Sequence, residues 1–142
     1  MSTADAPMTD LIRELNGALA WELRAEIMYS HYAAYVMGIH RLHLKPFFEG
    51  EATESVTHGQ TVRDQIVKLQ GIATTDRDPT EIVHTTDYKL MLQEAFKTEQ
   101  TAAATYKRIL GMPGLGSELK DALEQISFQE ERSITELSQM LD

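Results

Sequence analysis

The stretch GEATESVTHGQ, residues 50–60, sets the question that decides the fold. Glu54 and His58 are four residues apart, and Ser55 and His58 are three apart, inside what reads as one long helix. Residues three and four apart share a helix face. The stretch is therefore either half of a metal site or a solvated face that happens to hold a histidine. The stripe around it runs Phe47, Glu51, Glu54/Ser55, His58, Val62 and Ile66, which is a helical period with ionisable groups inside the core-facing stripe.

The same period recurs in three other segments. The first runs Leu11, Leu15, Ala18/Leu19, Glu22, Ala25, Tyr29. Another runs Leu92, Ala95/Phe96, Glu99, Ala102/Ala103, Tyr106, Leu110. The last runs Leu119, Leu123, Ile126, Glu130, Ile134, Leu137. Each stripe carries an ionisable residue near its middle, and mid-helix positions of antiparallel helices meet at one level. Three buried carboxylates at one level repel and lose their hydration. A shared cation resolves both problems, and carboxylate oxygens with one imidazole suit iron, manganese or zinc. Glu22, Ala25 and Tyr29 also have the spacing of Glu99, Ala102 and Tyr106, a short internal echo that points to a two-fold pseudo-symmetric site. Tyr29 and Tyr106 read as core residues or as hydrogen-bond partners of the ligand carboxylates.

Proline and glycine mark the boundaries. Thr9 or Asp10 caps a first helix that runs to about Met37, before Gly38. Pro46 falls in the first turn of a second helix, where a missing N–H costs little, and Gly71 ends it. Residues 72–86, rich in Thr, Asp and Pro without a period, form a long connection. A third helix starts near Asp87 and ends around Gly111, and Ser117 caps a fourth. Residues 1–8 read as a flexible N-terminus and 9–142 as one domain. Two antiparallel hairpins joined by one long crossover make an all-α four-helix bundle of ferritin-like connectivity.

Bulk composition narrows the function classes. A chain of 142 residues with 42% apolar and 25% charged residues suits one globular domain. The absence of cysteine excludes disulfides, thiolate metal sites and cysteine nucleophiles. A net charge of −9 with no basic tail argues against nucleic acid as partner and for attraction of cations. No apolar run approaches a membrane span, and the small, acidic start MSTADAPMTD lacks the pattern of a signal peptide, so a cytoplasmic location is expected. His40 and His43 read as surface histidines, and His31 falls out of phase with Glu22 and faces away. Nothing supplies a base for a nucleophilic serine.

LNGALAWELRAEIMYSHY, residues 15–32, and the gapless run from Glu22 to KLQG, ending at Gly71, resemble the ferritin-like superfamily, most of all its bacterioferritin branch. That family places a Glu-x-x-His pair on the second helix, one Glu on the third and Glu-x-x-His on the fourth. The resemblance implies metal ligation by Glu22, His58, Glu99 and Glu130. Ser55 stands where the second helix should supply its glutamate, and Ser133 where the fourth should supply histidine. Glu54, i−4 from His58, is the candidate replacement through a small helix distortion. Otherwise water or a serine hydroxyl fills the gap and one metal binds tightly. Val56 stands at the haem-methionine position and cannot ligate, so haem is not expected. The implied function is non-haem iron binding, one or two ions per chain, with Fe(II) oxidised by dioxygen or peroxide for storage or detoxification. The implied assembly is a homo-oligomer, a dimer or a smaller shell. The competing readings are a redox-inactive sequestering or structural assembly protein, and a mononuclear metal enzyme built on Glu22, His58 and Glu130.

Overall fold

The computed structural model describes residues 6–142. Four helices account for most of them: α1, Ala6–Tyr35; α2, Arg41–Lys68; α3, Tyr88–Leu110; and α4, Ser117–Leu141. Among the described residues there is no strand, and no helix is long and apolar enough to cross a membrane. The expected four-helix order with a long α2–α3 crossover is the one observed. Of the expected flexible segment, residues 1–5 lie outside the described residues, and residues 6–8 belong to α1.

Two apolar clusters fill the bundle, one toward each end. One joins Met28, Tyr29, Tyr32, Phe48, Met91, Leu92 and Leu137. The other joins Leu15, Leu19, Val62, Ile66, Tyr106, Ile109, Leu123 and Ile126. Late α1 and α4 therefore meet early α2 and α3, so α1 and α4 run one way and α2 and α3 the other. Each large side chain buried here contributes roughly 1.5–3 kcal/mol. That stabilisation offsets the polar layer between the clusters, where Glu22, Ser55, His58, Glu99, Glu130 and Ser133 are all buried.

The crossover, residues 69–87, is tied along α1. Buried Arg24 donates through Nε to Thr80 O (3.0 Å) and through Nη2 to Glu81 O (2.8 Å). Ala20 O accepts from Asp78 N (2.9 Å), and Tyr32 donates to Val83 O (2.8 Å). Asn16 brackets the start of the connection through Ile72 O and Thr74 N. These bonds satisfy loop backbone that would otherwise lie unpaired against a helix.

Helix ends depart from expectation in four places. α1 already includes residues 6–10, so neither Thr9 nor Asp10 caps it. α2 begins at Arg41, so exposed Pro46 lies past the first turn, and the helical bond to Leu42 O is lost on a face that water can reach. Arg41 drives the early start by returning its guanidinium to Ala34 O and Val36 O at the end of α1. Gly116, not Ser117, holds the cap position of α4. Asp87 does cap α3, its Oδ1 accepting from Lys89 N at 3.0 Å, and Gly111 closes that helix.

The fourth departure is the end of α2. Gly71 N reaches Ile66 O and Gln70 N reaches Val67 O, both at 2.9 Å, which is the paired closure of a Schellman turn. The left-handed residue of that turn is Gln70, at φ +63°. Gly71 serves close packing instead: a Cβ there would sit 2.9 Å from Ile12 Cγ2 and 3.1 Å from Ile66 Cγ2. Gln70→Gly is expected to raise stability by about 1 kcal/mol by relieving the left-handed strain. Gly71→Ala should lower it by about 1–3 kcal/mol through overpacking. Denaturant midpoints of the two variants check the pair, and equal behaviour of the two glycine positions would contradict this division of roles.

Candidate metal centre

The polar layer is built by all four helices. α1 supplies Glu22, α2 supplies His58, α3 supplies Glu99 and α4 supplies Glu130, each at 2–5% exposure. His58 is the hub. Its Nδ1 lies 3.0 Å from Glu130 Oε1 and 3.6 Å from Glu22 Oε2. Its Nε2 faces the opposite way, 2.5 Å from Gln129 Oε1 and 3.6 Å from Glu54 Oε1. Gln129 can thus accept the Nε2–H and leave Nδ1 free for a cation, an arrangement that fixes the tautomer of a ligating histidine.

Glu22, His58 and Glu130 offer donor atoms within 4.8 Å of one another, and are the one such group among the described residues. Glu22 Oε2, Glu130 Oε2 and the Tyr106 hydroxyl have no hydrogen-bond partner there, although all three are buried. Buried polar atoms are normally paired. Two carboxylates that converge on one imidazole nitrogen, each with a buried oxygen left unpaired, are donors in want of an acceptor of charge, so the residues present fit a hard divalent cation.

Protonation tells the same story. Burial pushes the Glu22 carboxyl up to about 8; the nearby His58 works against this and the charge of Glu130 adds to it. Burial alone would depress His58, but its bond to Glu130 and the carboxylate of Glu22 close by outweigh that and carry it to about 11. Without a metal, the layer therefore holds protons as its positive charge. A cation that binds here must displace them.

The echo noted in the sequence becomes a crossed pair. Tyr29 of α1 donates to Glu99 of α3 at 2.5 Å. Tyr106 of α3 faces Glu22 of α1, whose charge helps burial raise the phenol well above its ordinary value, without a hydrogen bond of good geometry. Each tyrosine thus addresses the carboxylate of the other hairpin.

The expected ligands fall in different places. Glu22, His58 and Glu130 converge. Glu99 is buried and held by Tyr29, outside the compact trio. Glu54 is about one-third exposed and lies on the Nε2 edge of His58, away from the Nδ1 edge that Glu22 and Glu130 share. That edge borders a polar hollow of about 310 Å³ lined by Thr57, His58, Thr61, Gln125 and Gln129, an approach from solvent between α2 and α4. Ser55 and Ser133 are buried, and the Ser133 hydroxyl donates to the buried carboxylate of Glu51 at 3.3 Å. His31 faces outward and pairs with His84 at 2.9 Å, as its phase requires. Sequence reading did not single out Gln129 or Glu51 as site residues. Gln129 is exposed overall and sits next to Glu130, so no periodic signal marks it. Glu51 stood on the stripe, and its distance of seven residues, two helical turns from His58, was the available signal.

Fold and layer together define a class: four-helix bundles with carboxylates and histidine buried at mid-height. The chain belongs to the ferritin-like family, whose domain model matches residues 12–142. It is 32% identical to the ferritin-like diiron-carboxylate protein from Bacillus anthracis str. Ames, with all of both chains covered and a TM-score of 0.89. It is 26% identical to the dodecameric thioferritin, a bacterioferritin-related protein, from Bacteroides fragilis, covering 94% of this chain and 85% of that one at a TM-score of 0.86. The DPS protein from Vibrio cholerae O1 shares the fold at a TM-score of 0.88 and 15% identity, over 96% and 91% of the two chains. A search of the curated proteins finds no sequence match.

Proposed function

We propose that the chain binds Fe(II) at Glu22, His58 and Glu130 and supports its oxidation by dioxygen or peroxide, for iron storage or detoxification. The observation that carries this reading is the convergence of Glu22 Oε2 and Glu130 Oε1 on His58 Nδ1, with Glu22 Oε2 and Glu130 Oε2 buried and without a hydrogen-bond partner. Similarity to diiron-carboxylate proteins supports iron as the substrate. Each Fe(II) oxidised to Fe(III) gives one electron to the oxidant. The protein's part is electrostatic. Glu22 and His58 release their protons on loading, and the carboxylates left behind favour the higher charge of the product. Gln129 holds the imidazole, and Tyr29 holds Glu99.

A homo-oligomer, a dimer or a smaller shell, is the proposed setting. Ile39 and Leu42 at the α1–α2 turn are 84% and 78% exposed, beside an apolar hollow of about 520 Å³, and Ile72 and Phe128 are also exposed. Such apolar exposure suits contacts between copies. A second reading, a single metal per chain, draws on the compactness of the trio, which offers one cluster of three donors. The test is anaerobic addition of Fe(II) to metal-free protein, followed by air. Tight binding with oxygen uptake supports the proposal. Binding without uptake leaves a sequestering protein, and no binding overturns the iron reading altogether.

A further inference from the structure

Two histidines outside the buried layer meet on the outer side of α1. His31 is half-buried on that helix, and His84 is exposed in the crossover. His31 Nε2 lies 2.9 Å from His84 Nδ1, although 53 residues separate them. Among the described residues neither ring forms another hydrogen bond. Both backbones are held in place. His31 sits within α1, and the residue before His84 is pinned because Val83 O accepts from Tyr32 at 2.8 Å. Further upstream Arg24 ties down Thr80 O and Glu81 O, and Ile82 packs on an apolar cluster. Tyr35, one helical turn after His31, lies against both rings. Its centroid is 4.5 Å from that of His31 and 4.7 Å from that of His84. The phenol therefore fills space that either imidazole would need to swing away.

A hydrogen bond accounts for this contact in one protonation pattern only, with a proton on one facing nitrogen and none on the other. A cation uses the same two atoms with both nitrogens unprotonated. Imidazole nitrogen binds a first-row metal at about 2.0–2.1 Å. Two such bonds to nitrogens 2.9 Å apart enclose an angle of about 90° at the ion. That is the angle between neighbouring ligands of a square-planar or tetragonal ion. A tetrahedral ion would require the nitrogens to part to roughly 3.3–3.4 Å. Imidazole suits copper, nickel and zinc, copper(II) prefers tetragonal geometry, and it stands highest among the divalent ions in affinity. Two imidazoles without a carboxylate thus select differently from the buried layer, whose oxygens fit a hard ion. The net charge of −9 supplies attraction for any cation approaching from solvent.

We infer that His31 and His84 form a surface chelate for copper(II), separate from the iron centre, with water in the remaining positions of the ion. The ion takes the place of the proton between the rings. It fastens residue 84 of the crossover to α1, beside the bonds already made by Arg24 and Tyr32. In the unfolded chain the two imidazoles are held together only by closing a loop of 53 residues, so the ion favours the folded chain. Tyr35 acts as a positioning residue that keeps the rings facing each other. The inference does not depend on the iron reading, since no ligand is shared with Glu22, His58 or Glu130.

The experiment titrates copper(II) into the metal-free full chain and follows it by electron paramagnetic resonance, in wild type, His31→Ala, His84→Ala and His43→Ala. The last removes a different exposed histidine. The buried trio can also take copper, so the readout is a difference between proteins. Wild type and His43→Ala are expected to show a copper signal with two equatorial nitrogens. His31→Ala and His84→Ala should lose that signal and bind one copper fewer per chain. Saturating copper should raise the Tm of wild type by several degrees more than that of His84→Ala. Circular dichroism confirms that each variant folds, and His84, exposed in the crossover, is the substitution that decides. Anaerobic Fe(II) binding should be the same in all four proteins, since the buried layer is untouched. Equal copper signals and stoichiometry in wild type and His84→Ala overturn the chelate and leave a histidine–histidine hydrogen bond. Loss of the two-nitrogen signal in His43→Ala instead overturns it as well, by placing the ion elsewhere.

Discussion

Glu22→Gln is expected to cost at least about 100-fold in Fe(II) affinity, more than the loss of a group that merely orients a ligand, while leaving the metal-free fold as stable as wild type near neutral pH. The reason lies in who carries the proton. With its carboxyl raised to about 8, Glu22 is largely neutral at pH 7 in the metal-free protein. Glutamine reproduces that neutral shape, so little is lost before metal arrives. A cation, however, needs the carboxylate, and an amide cannot supply its charge. Above pH 8 the variant should melt higher than wild type, since it no longer has a buried carboxyl to ionise. Anaerobic Fe(II) titration and melting curves at pH 6 and pH 9 test both halves. Wild-type affinity in Glu22→Gln would remove Glu22 from the ligand set. A collapse of the fold at pH 7 would mean that Glu22 is ionised and paired there.

The second expectation concerns pH and the whole layer. Glu22 and Glu51 are raised to about 8 and about 7, each chiefly by burial, and His58 to about 11 by its carboxylate partners despite burial. All three bind protons more tightly folded than unfolded. Their contribution is fully present below the unfolded values, near 4.5 for the carboxyls and 6.5 for the histidine. It fades as pH rises through about 7, 8 and 11 in turn. The metal-free protein should therefore lose stability from pH 5 to pH 9, by at least about 2–3 kcal/mol, or roughly 10 °C or more in Tm. Zn(II), which fits the same donors without redox chemistry, should reverse the slope. Its binding requires these protons to leave, so its affinity and the stability it confers grow with pH. Calorimetry at pH 5, 7 and 9 with chelator or with Zn(II) checks this. A metal-free Tm that rises with pH would show that the layer is ionised without its cation.

Much of this centre is legible in the sequence because helical burial is a local, periodic property. Glu22, Glu99 and Glu130 interrupt apolar stripes, His58 lies on one, and all four are buried in the structure. The Asp87 cap, the Gly111 end and the crossover length follow from equally local chemistry. The crossed tyrosines show where local reasoning stops. The repeated Glu, Ala and Tyr spacing makes Tyr29 and Tyr106 plausible partners of carboxylates. That Tyr29 reaches Glu99, 70 residues away, depends on how α1 and α3 pair. The end of α2 stops it too: a glycine invites the left-handed position, yet the apolar neighbours Ile12 and Ile66 put Gly71 to other use and leave Gln70 with the strain.

The sharpest division falls between Glu51 and Glu54. On a helix the two lie about 20° and about 40° from the direction of His58, on opposite sides. Either could turn toward the core, and no rule of spacing separates them. Residue order was thus enough for the helices, their inward faces and the level at which charge is buried, since these follow from neighbours along the chain. The packing of α4 against α2 settled which carboxylate enters. Ser133 opens a space and offers a hydroxyl on one side of the stripe, while Gln129 occupies the imidazole edge on the other. Side chains separated by more than 70 residues make that choice, through excluded volume and hydrogen bonds that exist only once the bundle has closed.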